Sequence, residues 1–132
     1  MDLTGKNVYI SGPMTGRAHY GVAEFALAHA ALKEAGAEYV YNPAMRYLVK
    51  SQRKLAAMRH EDWMCDCIHE LTERERRDQT WVEITPMKYD LLVQLPGWEE
   101  SEGALEEFSV AKACGIKVAS IEEALAKDTE AW

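Results

Sequence analysis

The sequence predicts an α/β protein with a parallel sheet of four to five strands and helices on both faces. Short apolar stretches rich in β-branched and aromatic residues alternate along the chain with longer stretches of helical periodicity. The resulting order β-α-β-α-β-α-β-α needs crossover connections, which make the strands parallel and place helices on both faces of the sheet. No repeat, low-complexity segment or Pro/Gly-rich linker divides the 132 residues. We therefore expect one single-domain, Rossmann-like fold over residues 1–132.

The first half of the chain contains two predicted strands and the helix between them. NVYIS, residues 7–11, is a short apolar run stopped by a Gly-Pro pair, as at the end of a strand. Residues 22–36 are alanine-rich with helical spacing and end on a glycine that suits a helix C-terminus. EYVYNP, residues 38–43, is a second strand ended by Asn-Pro, and residues 45–71 have a helical pattern in two pieces.

The second half begins with a stretch that lacks a clear period. Residues 72–88 contain no helix or strand pattern, and we interpret them as an insertion. The apolar stretch 89–97 predicts a strand running into a turn, and residues 102–114 predict a helix. Residues 116–120 predict a last strand, and 120–127 a closing helix whose first residues have the spacing of a capping box.

Composition and charge argue against a protein that binds nucleic acid or spans a membrane. With 22 acidic and 15 basic residues the net charge is −7, which argues against a polymeric nucleic acid as partner, because proteins of that class neutralise phosphates with basic patches. The longest apolar stretches are far shorter than the roughly 20 residues of a membrane span. The N-terminus has no apolar run of signal-peptide length. We expect a cytoplasmic protein with no membrane partner.

The three cysteines indicate neither a disulfide framework nor a metal site. Cys65, Cys67 and Cys114 are odd in number. The segment CDCIH alternates two cysteines with His69, but residues two apart on a helix point in different directions, and no second Cys/His cluster follows. We expect reduced thiols, no metal and no cofactor.

Three loops follow the predicted strands, where ligands bind in open parallel sheets. They are residues 11–21, 42–46 and 95–103. The first is rich in glycine, so its N–H groups could face a phosphate or carboxylate, although it has neither Walker nor dinucleotide-binding spacing. In the third, Ser101 can cap the next helix and Gly103 lets backbone come close, which again suits an anion at a helix N-terminus.

An acidic residue lies on the apolar side of the helix predicted over 102–114. On an ideal helix with Ala104 at zero, Glu107 falls at about 300°, between Ala111 and Cys114. A carboxylate on a core face is costly unless it is paired, hydrogen-bonded or open to a cleft. Glu107 is therefore either a functional acid or a structural one bonded to backbone or to a tyrosine.

Acid–base chemistry would need a second group. By residue type the nearest candidates are Asp62, Asp66 and Asp90, of which Asp90 lies at the wrong end of its strand. Tyr9, within the first strand, can donate a hydrogen bond to an inward carboxylate.

The segments YISGPMTG, YNPA and LPGWEESEGALEEFSVAKACGIKV resemble the nucleoside 2-deoxyribosyltransferase-like superfamily. The resemblance is greatest to small domains, frequent in phages, with an LPGW-x-x-S-x-G-A signature, and the superfamily also includes 2'-deoxynucleoside 5'-phosphate N-hydrolases. It is close over residues 89–118 and looser over 7–43 and 60–71.

The resemblance implies roles for matching residues. Glu107 matches the glutamate that attacks the anomeric carbon, Tyr9 the tyrosine that orients it, and Asp66 the aspartate that handles the leaving base. Asp66 and Asp90 are 24 positions apart, more than in the family, which leaves two alternatives for the acid, Asp66 or Asp78 in the insertion. The candidate substrate-binding residues are Gly12, Pro13, Met14, Gly16, Arg17, Asn42, Trp98, Ser101 and Gly103.

Two functions remain open on this basis. One is cleavage or transfer at the N-glycosidic bond of a nucleoside or nucleoside 5'-monophosphate through a covalent glutamyl-sugar intermediate, by an N-glycosidase or (deoxy)ribosyltransferase. The other is non-catalytic binding of a nucleotide or nucleotide-derived signal in the same pocket. The partner in both is a small nucleoside or nucleotide, and the resemblance also implies a homo-oligomer, a dimer or higher.

Overall fold

Four parallel strands form the sheet at the centre of the fold. A computed structural model describes residues 1–45, 57–74 and 86–127. The strands β1 (Asn7–Ser11), β2 (Tyr39–Tyr41), β3 (Leu91–Gln94) and β4 (Lys117–Ser120) pair in the order β2-β1-β3-β4. Every pairing between them is parallel. The predicted α/β class and the parallel sheet are confirmed.

Helices cover both faces of this sheet. They are α1 (Val22–Glu34), α2 (His60–Leu71), α3 (Glu102–Ala113) and the short α4 (Ile121–Leu125). Helices α1 and α4 contact each other on one face, and α2 and α3 contact each other on the opposite face. Within the helical stretch predicted over 45–71, residues 46–56 lie outside the described residues.

The element order is as predicted, but several elements are shorter. The helix predicted over 22–36 ends at Glu34, because Gly36 has a left-handed φ of 108° and the N–H of Ala37 turns back to the carbonyl of Leu32 at 3.1 Å. The strand predicted over 89–97 ends at Gln94, where the chain turns into a single 3-10 turn, Trp98–Glu100.

Side-chain alternation along β1 divides the interior into two cores. Val8 and Ile10 belong to the core beneath α1, with Phe25. Tyr9 belongs to the core on the opposite face, and Ser11, two residues further on, points the same way. The face covered by α2 and α3 therefore receives a tyrosine and a serine from the central strand.

The strand order places a crevice at the carboxyl ends of β1 and β3. After β1 the chain crosses to β2 on one side, whereas β3 lies on the other side, so the two loops that follow β1 and β3 diverge at this point. A hydrogen bond of 2.8 Å from the N–H of Leu95 to the carbonyl of Ser11 holds the loops together at their base. Both loops contain residues that the sequence singled out.

The ends of the 72–88 segment meet near the amino-terminal ends of the central strands β1 and β3. Arg74 and Met87 form an isolated antiparallel bridge, and the N–H of Lys88 donates to the carbonyl of Glu73 at 2.8 Å. The ammonium group of Lys88 also lies 3.1 Å from the carboxylate of Glu70. The middle of the segment, residues 75–85, lies outside the described residues, as does the predicted alternative acid Asp78.

In the described ranges, no helix has both the length and the apolar character needed to cross a membrane.

Candidate active site

The carboxylate of Glu107 lies on the inner face of α3, above the end of β1. Only 6% of the residue is exposed, so the burial expected from helical periodicity is confirmed. The hydroxyl of Ser11 donates to Oε1 at 2.9 Å, and the hydroxyl of Tyr9 donates to Oε2. Both carboxylate oxygens are therefore held by hydroxyl groups of one strand, which fixes the orientation of the side chain.

Burial controls the ionisation of this carboxyl. Burial raises the pKa of Glu107 from 4.5 to about 7. The hydrogen bonds from Tyr9 and Ser11 lower this pKa, and the nearby charge of Glu106 raises it, but burial is the largest effect. The pKa of Tyr9 lies well above its ordinary value, because the ring is buried and the carboxylate is next to it. Tyr9 thus stays a protonated donor, while Glu107 changes charge near neutral pH.

Tyr9 itself is fixed by other aromatic rings. Its ring stacks on Tyr41 with centroids 5.0 Å apart and meets Tyr89 edge-on at 5.5 Å. The hydroxyl of Tyr9 also lies 3.4 Å from the carbonyl oxygen of Cys67 on α2. A donor held on this many sides pre-organises the carboxylate it contacts.

A cavity of about 440 Å³ opens above Glu107. Its walls come from the loop after β1, from the inner face of α2 and from the first turn of α3. This volume and its largely apolar and aromatic lining are typical of small-molecule sites. The described lining residues are Gly12, Met14, Thr15, Tyr20, Pro43, Met58, His60, Trp63, Met64, Cys67, Ser101, Glu102, Gly103, Ala104 and Glu107.

The first turn of α3 forms one wall of the cavity. Ser101 is the N-cap, and its hydroxyl oxygen accepts from the N–H of Ala104 at 3.3 Å. A Cβ atom on Gly103 would lie 3.1 Å from Sδ of Met64, so glycine at this position lets α3 approach α2 closely. The two residues predicted from the third loop therefore lie at the cavity together with Glu107.

The loop after β1 forms the opposite wall. A Cβ atom on Gly12 would lie 2.8 Å from Cβ of Leu95, so only glycine fits where the two loops converge. Met14 and Thr15 line the cavity. Gly16, with a left-handed φ of 80°, turns the chain and is not among the described lining residues.

The end of this loop carries backbone strain beside the cavity. His19 and Tyr20 have left-handed φ values of 49° and 56°, and Gly21 follows at 75°. Two non-glycine residues in this conformation are unusual and cost free energy. The ring of Tyr20, 41% exposed, lines the cavity as a result.

A second, more polar cavity of about 330 Å³ adjoins the first and shares five lining residues with it. Pro13 and Arg17 line it, and Nη2 of Arg17 would lie 2.6 Å from a Cβ atom on Gly97. Glu100 and Glu102 line it as well. Charged groups of both signs therefore meet at this end of the site.

The shared rim of the two cavities is acidic and exposed. Nε2 of His60 lies 3.9 Å from a carboxylate oxygen of Glu106. The potential ligand atoms of His60, Glu102 and Glu106 all lie within 4.8 Å of one another. Such exposed acidic groups are also common without a bound ion, and the cysteines of the described ranges are free thiols.

Besides Gly16, and Tyr9 which contacts Glu107 itself, three predicted residues are not among the described residues that line either cavity. Asp66 is half-buried on α2 and is not among the described residues lining the cavity. Asn42 is buried, and its Oδ1 accepts from the N–H of Ala44 at 3.0 Å, so it holds the turn after β2. Trp98 packs on Phe108 with ring centroids 5.2 Å apart, and it is not among the described residues that line the cavity above Glu107.

Several residues at the site were not predicted. Ser11 was missed, although its position two residues after Tyr9 places both side chains on one face of a strand. The lining positions of α2 were missed too, although His60, Trp63, Met64 and Cys67 follow the i, i+3, i+4, i+7 spacing of one helix face. Periodicity marks such a face without showing that it borders a cavity.

Comparison with curated proteins and with solved structures gives no match. One protein-family model, DUF4406, described as a domain of unknown function, does match, over residues 6–120. The matched span runs from the start of β1 to the end of β4 and includes Tyr9, Ser11, Glu107 and every described residue of the first cavity. The chain belongs to the DUF4406 family.

Proposed function

We propose that this protein cleaves, or transfers a sugar at, the N-glycosidic bond of a nucleoside or nucleoside 5'-monophosphate, with Glu107 as nucleophile. One observation carries the proposal: a buried carboxylate, held at both oxygens by Tyr9 and Ser11, lies at the floor of a cavity of about 440 Å³. The relation to the nucleoside 2-deoxyribosyltransferase-like superfamily, which rests on sequence motifs, is part of the proposal.

The chemistry suits a desolvated carboxylate. In the first step an oxygen of ionised Glu107 attacks the anomeric carbon while the bond from that carbon to the base nitrogen breaks, and the electron pair leaves with the base. In the second step water, or another base, attacks the same carbon and displaces the carboxylate. Water as acceptor gives hydrolysis and releases a proton, whereas a second nucleobase as acceptor gives transfer. Because each step is a displacement, the two steps together retain the configuration at the anomeric carbon.

The first step creates positive charge on the sugar and negative charge on the base. An ionised Glu107 stabilises the oxocarbenium-like transition state from below. The departing base needs a proton or a hydrogen bond, and the titratable side chains of His60 and Glu102 are among the described residues that line the cavity. The aromatic rings of Tyr20 and Trp63 supply flat apolar surface of the kind on which a base stacks.

A second candidate is non-catalytic binding of a nucleotide or nucleotide-derived signal in the same cavity. The observation that favours it is the position of Asp66, which does not line the described cavity although the resemblance gives it the acid role. Without that acid, the cavity would hold its ligand intact.

A chromatographic screen separates the two functions. The wild-type protein, Glu107→Gln and Glu99→Gln are incubated with the common nucleosides and their 5'-monophosphates, in ribo and deoxy forms, and assayed for free base. Glu99 is exposed in the 3-10 turn that precedes α3 and is not among the described residues that line either cavity, so its variant is a matched charge control.

We expect base release by the wild type and by Glu99→Gln, and none by Glu107→Gln. Turnover in a folded Glu107→Gln protein would refute Glu107 as nucleophile. If no protein releases base, thermal stabilisation by an intact nucleoside or nucleotide would establish the binding function instead.

A further inference from the structure

Gln94, the last residue of β3, is a buried polar residue that the proposed mechanism does not use. Only 7% of it is exposed, and its Nε2 has no hydrogen-bond partner in the ranges that the structure describes. A buried amide donor without a partner costs free energy and is uncommon in folded proteins, so each such group calls for an explanation.

The sheet register places Gln94 beside Ser11. The two residues pair across β1 and β3, on neighbouring parallel strands. Val93 and Leu95, on either side of Gln94, both belong to the core beneath α1. By alternation the side chain of Gln94 points to the other face, where Ser11 contacts Glu107.

Ser11 has an acceptor available for this amide. Its hydroxyl hydrogen is used in the 2.9 Å bond to Oε1 of Glu107, which leaves the lone pairs of the same oxygen for a donor. Neighbouring strands lie about 4.8 Å apart. Because Nε2 makes no direct hydrogen bond to a described residue, the amide reaches Ser11 through one bridging water molecule.

We infer that Gln94 is a positioning residue for Glu107: its amide donates, through one bridging water molecule, to the hydroxyl of Ser11, which donates to the carboxylate. A hydroxyl that accepts a hydrogen bond becomes a stronger donor, so the relay stabilises the ionised form of Glu107 and holds its orientation. The effect on the carboxyl follows from the geometry alone, whereas the effect on turnover rests on the proposed function.

Other titratable groups also surround Glu107. Tyr9 faces it from β1, Cys67 and His60 line the same cavity from α2, and Glu102 and Glu106 lie on its own helix. Replacing Gln94 by an uncharged residue changes none of these charges. A difference between the two proteins therefore reports the relay.

The test is Gln94→Met, which has similar volume and no donor. The carboxyl of Glu107 is titrated by ¹³C NMR in the whole protein, with its signal assigned by its loss in Glu107→Gln. We expect the variant to titrate at higher pH than the wild type. We also expect kcat/KM to fall about fivefold at pH 6, where ionisation is limiting, and to change little at pH 9. Leu92→Met, on the same strand and face, is the matched control and leaves both measurements unchanged.

A double-mutant cycle shows whether the effect passes through Ser11. In a Ser11→Ala background, Gln94→Met is expected to cause no additional change in the titration of Glu107. The inference is overturned if wild type and Gln94→Met give superimposable titrations of Glu107, or if Gln94→Met shifts the titration equally with and without the Ser11 hydroxyl. If methionine packs poorly at this position, Gln94→Leu replaces it in the same experiments. If the titration moves but the wild type releases no base, the positioning role stands and the proposed function fails.

Discussion

Removing the charge of Glu107 should make the protein more stable at neutral and alkaline pH. The pKa of this carboxyl is about 7 in the folded protein and 4.5 without burial. Because the folded state binds the proton more tightly, ionisation above pH 4.5 favours unfolding, and the cost is complete once pH exceeds 7. The pKa differs by about 2.5 between the two states, and one pKa unit corresponds to about 1.36 kcal/mol, so the ionised carboxylate lowers the free energy of unfolding by about 3 kcal/mol. Most of this cost develops between pH 5 and pH 8.

Glu107→Gln keeps the shape and removes the ionisation, so the measured quantity is the difference in free energy of unfolding between the two proteins. Urea denaturation at pH 5, 6, 7 and 8 should show that the variant gains about 2 to 3 kcal/mol in free energy of unfolding relative to the wild type, which corresponds to roughly 10 °C in Tm. Effects of the other titratable groups cancel in this difference. A difference constant to within about 0.5 kcal/mol over that range would refute the argument that burial raises this pKa.

Three further outcomes follow from the site. If Glu107 is the nucleophile, the pH–rate profile of kcat/KM should rise about tenfold per pH unit below 7 and level off above it, since only the ionised form attacks. Tyr9→Phe keeps the stacked rings but removes one hydrogen-bond donor to Glu107, and should lower kcat about 10- to 100-fold with little change in KM. A rise in KM with unchanged kcat would indicate a role in binding instead. Gly103→Ala places a methyl group 3.1 Å from Sδ of Met64, and calorimetry and kinetics should show a raised KM with a small change in Tm; an unchanged KM would mean that substrate does not reach this wall.

The sequence predicts the sheet well because each strand is a short apolar run that ends in a turn residue. The burial of Glu107 was predictable for a similar reason, since one helix with a regular period decides which side faces inward. The predicted contact between Tyr9 and an inward carboxylate is also confirmed, because the hydroxyl of Tyr9 on the first strand donates to Glu107. These inferences need only local periodicity and the rule that parallel strands end at one edge.

The remaining site residues depend on contacts between distant segments, which local patterns do not encode. Ser11 lies 96 positions from Glu107, and a serine at the end of a strand has no feature that distinguishes it from any other. Asn42 was predicted at the site because it follows a strand, but its side chain satisfies the backbone of its own turn. Trp98 was expected at the ligand, whereas its half-buried ring packs on Phe108.

The energetic cost of Glu107 argues that this arrangement serves a function. A structural acid that only had to satisfy two hydroxyl groups could be replaced by glutamine, with a gain of about 3 kcal/mol at neutral pH, which is large against the 5–15 kcal/mol that stabilises an ordinary domain. The strained conformation of Tyr20 adds a second cost at the same cavity. Two unfavourable terms that meet at one concave surface are expected where activity, and not stability, fixes the residues. If Glu107 is the nucleophile, a pH-dependent gain in stability and a loss of base release are two consequences of removing the same buried charge, and both should appear in Glu107→Gln.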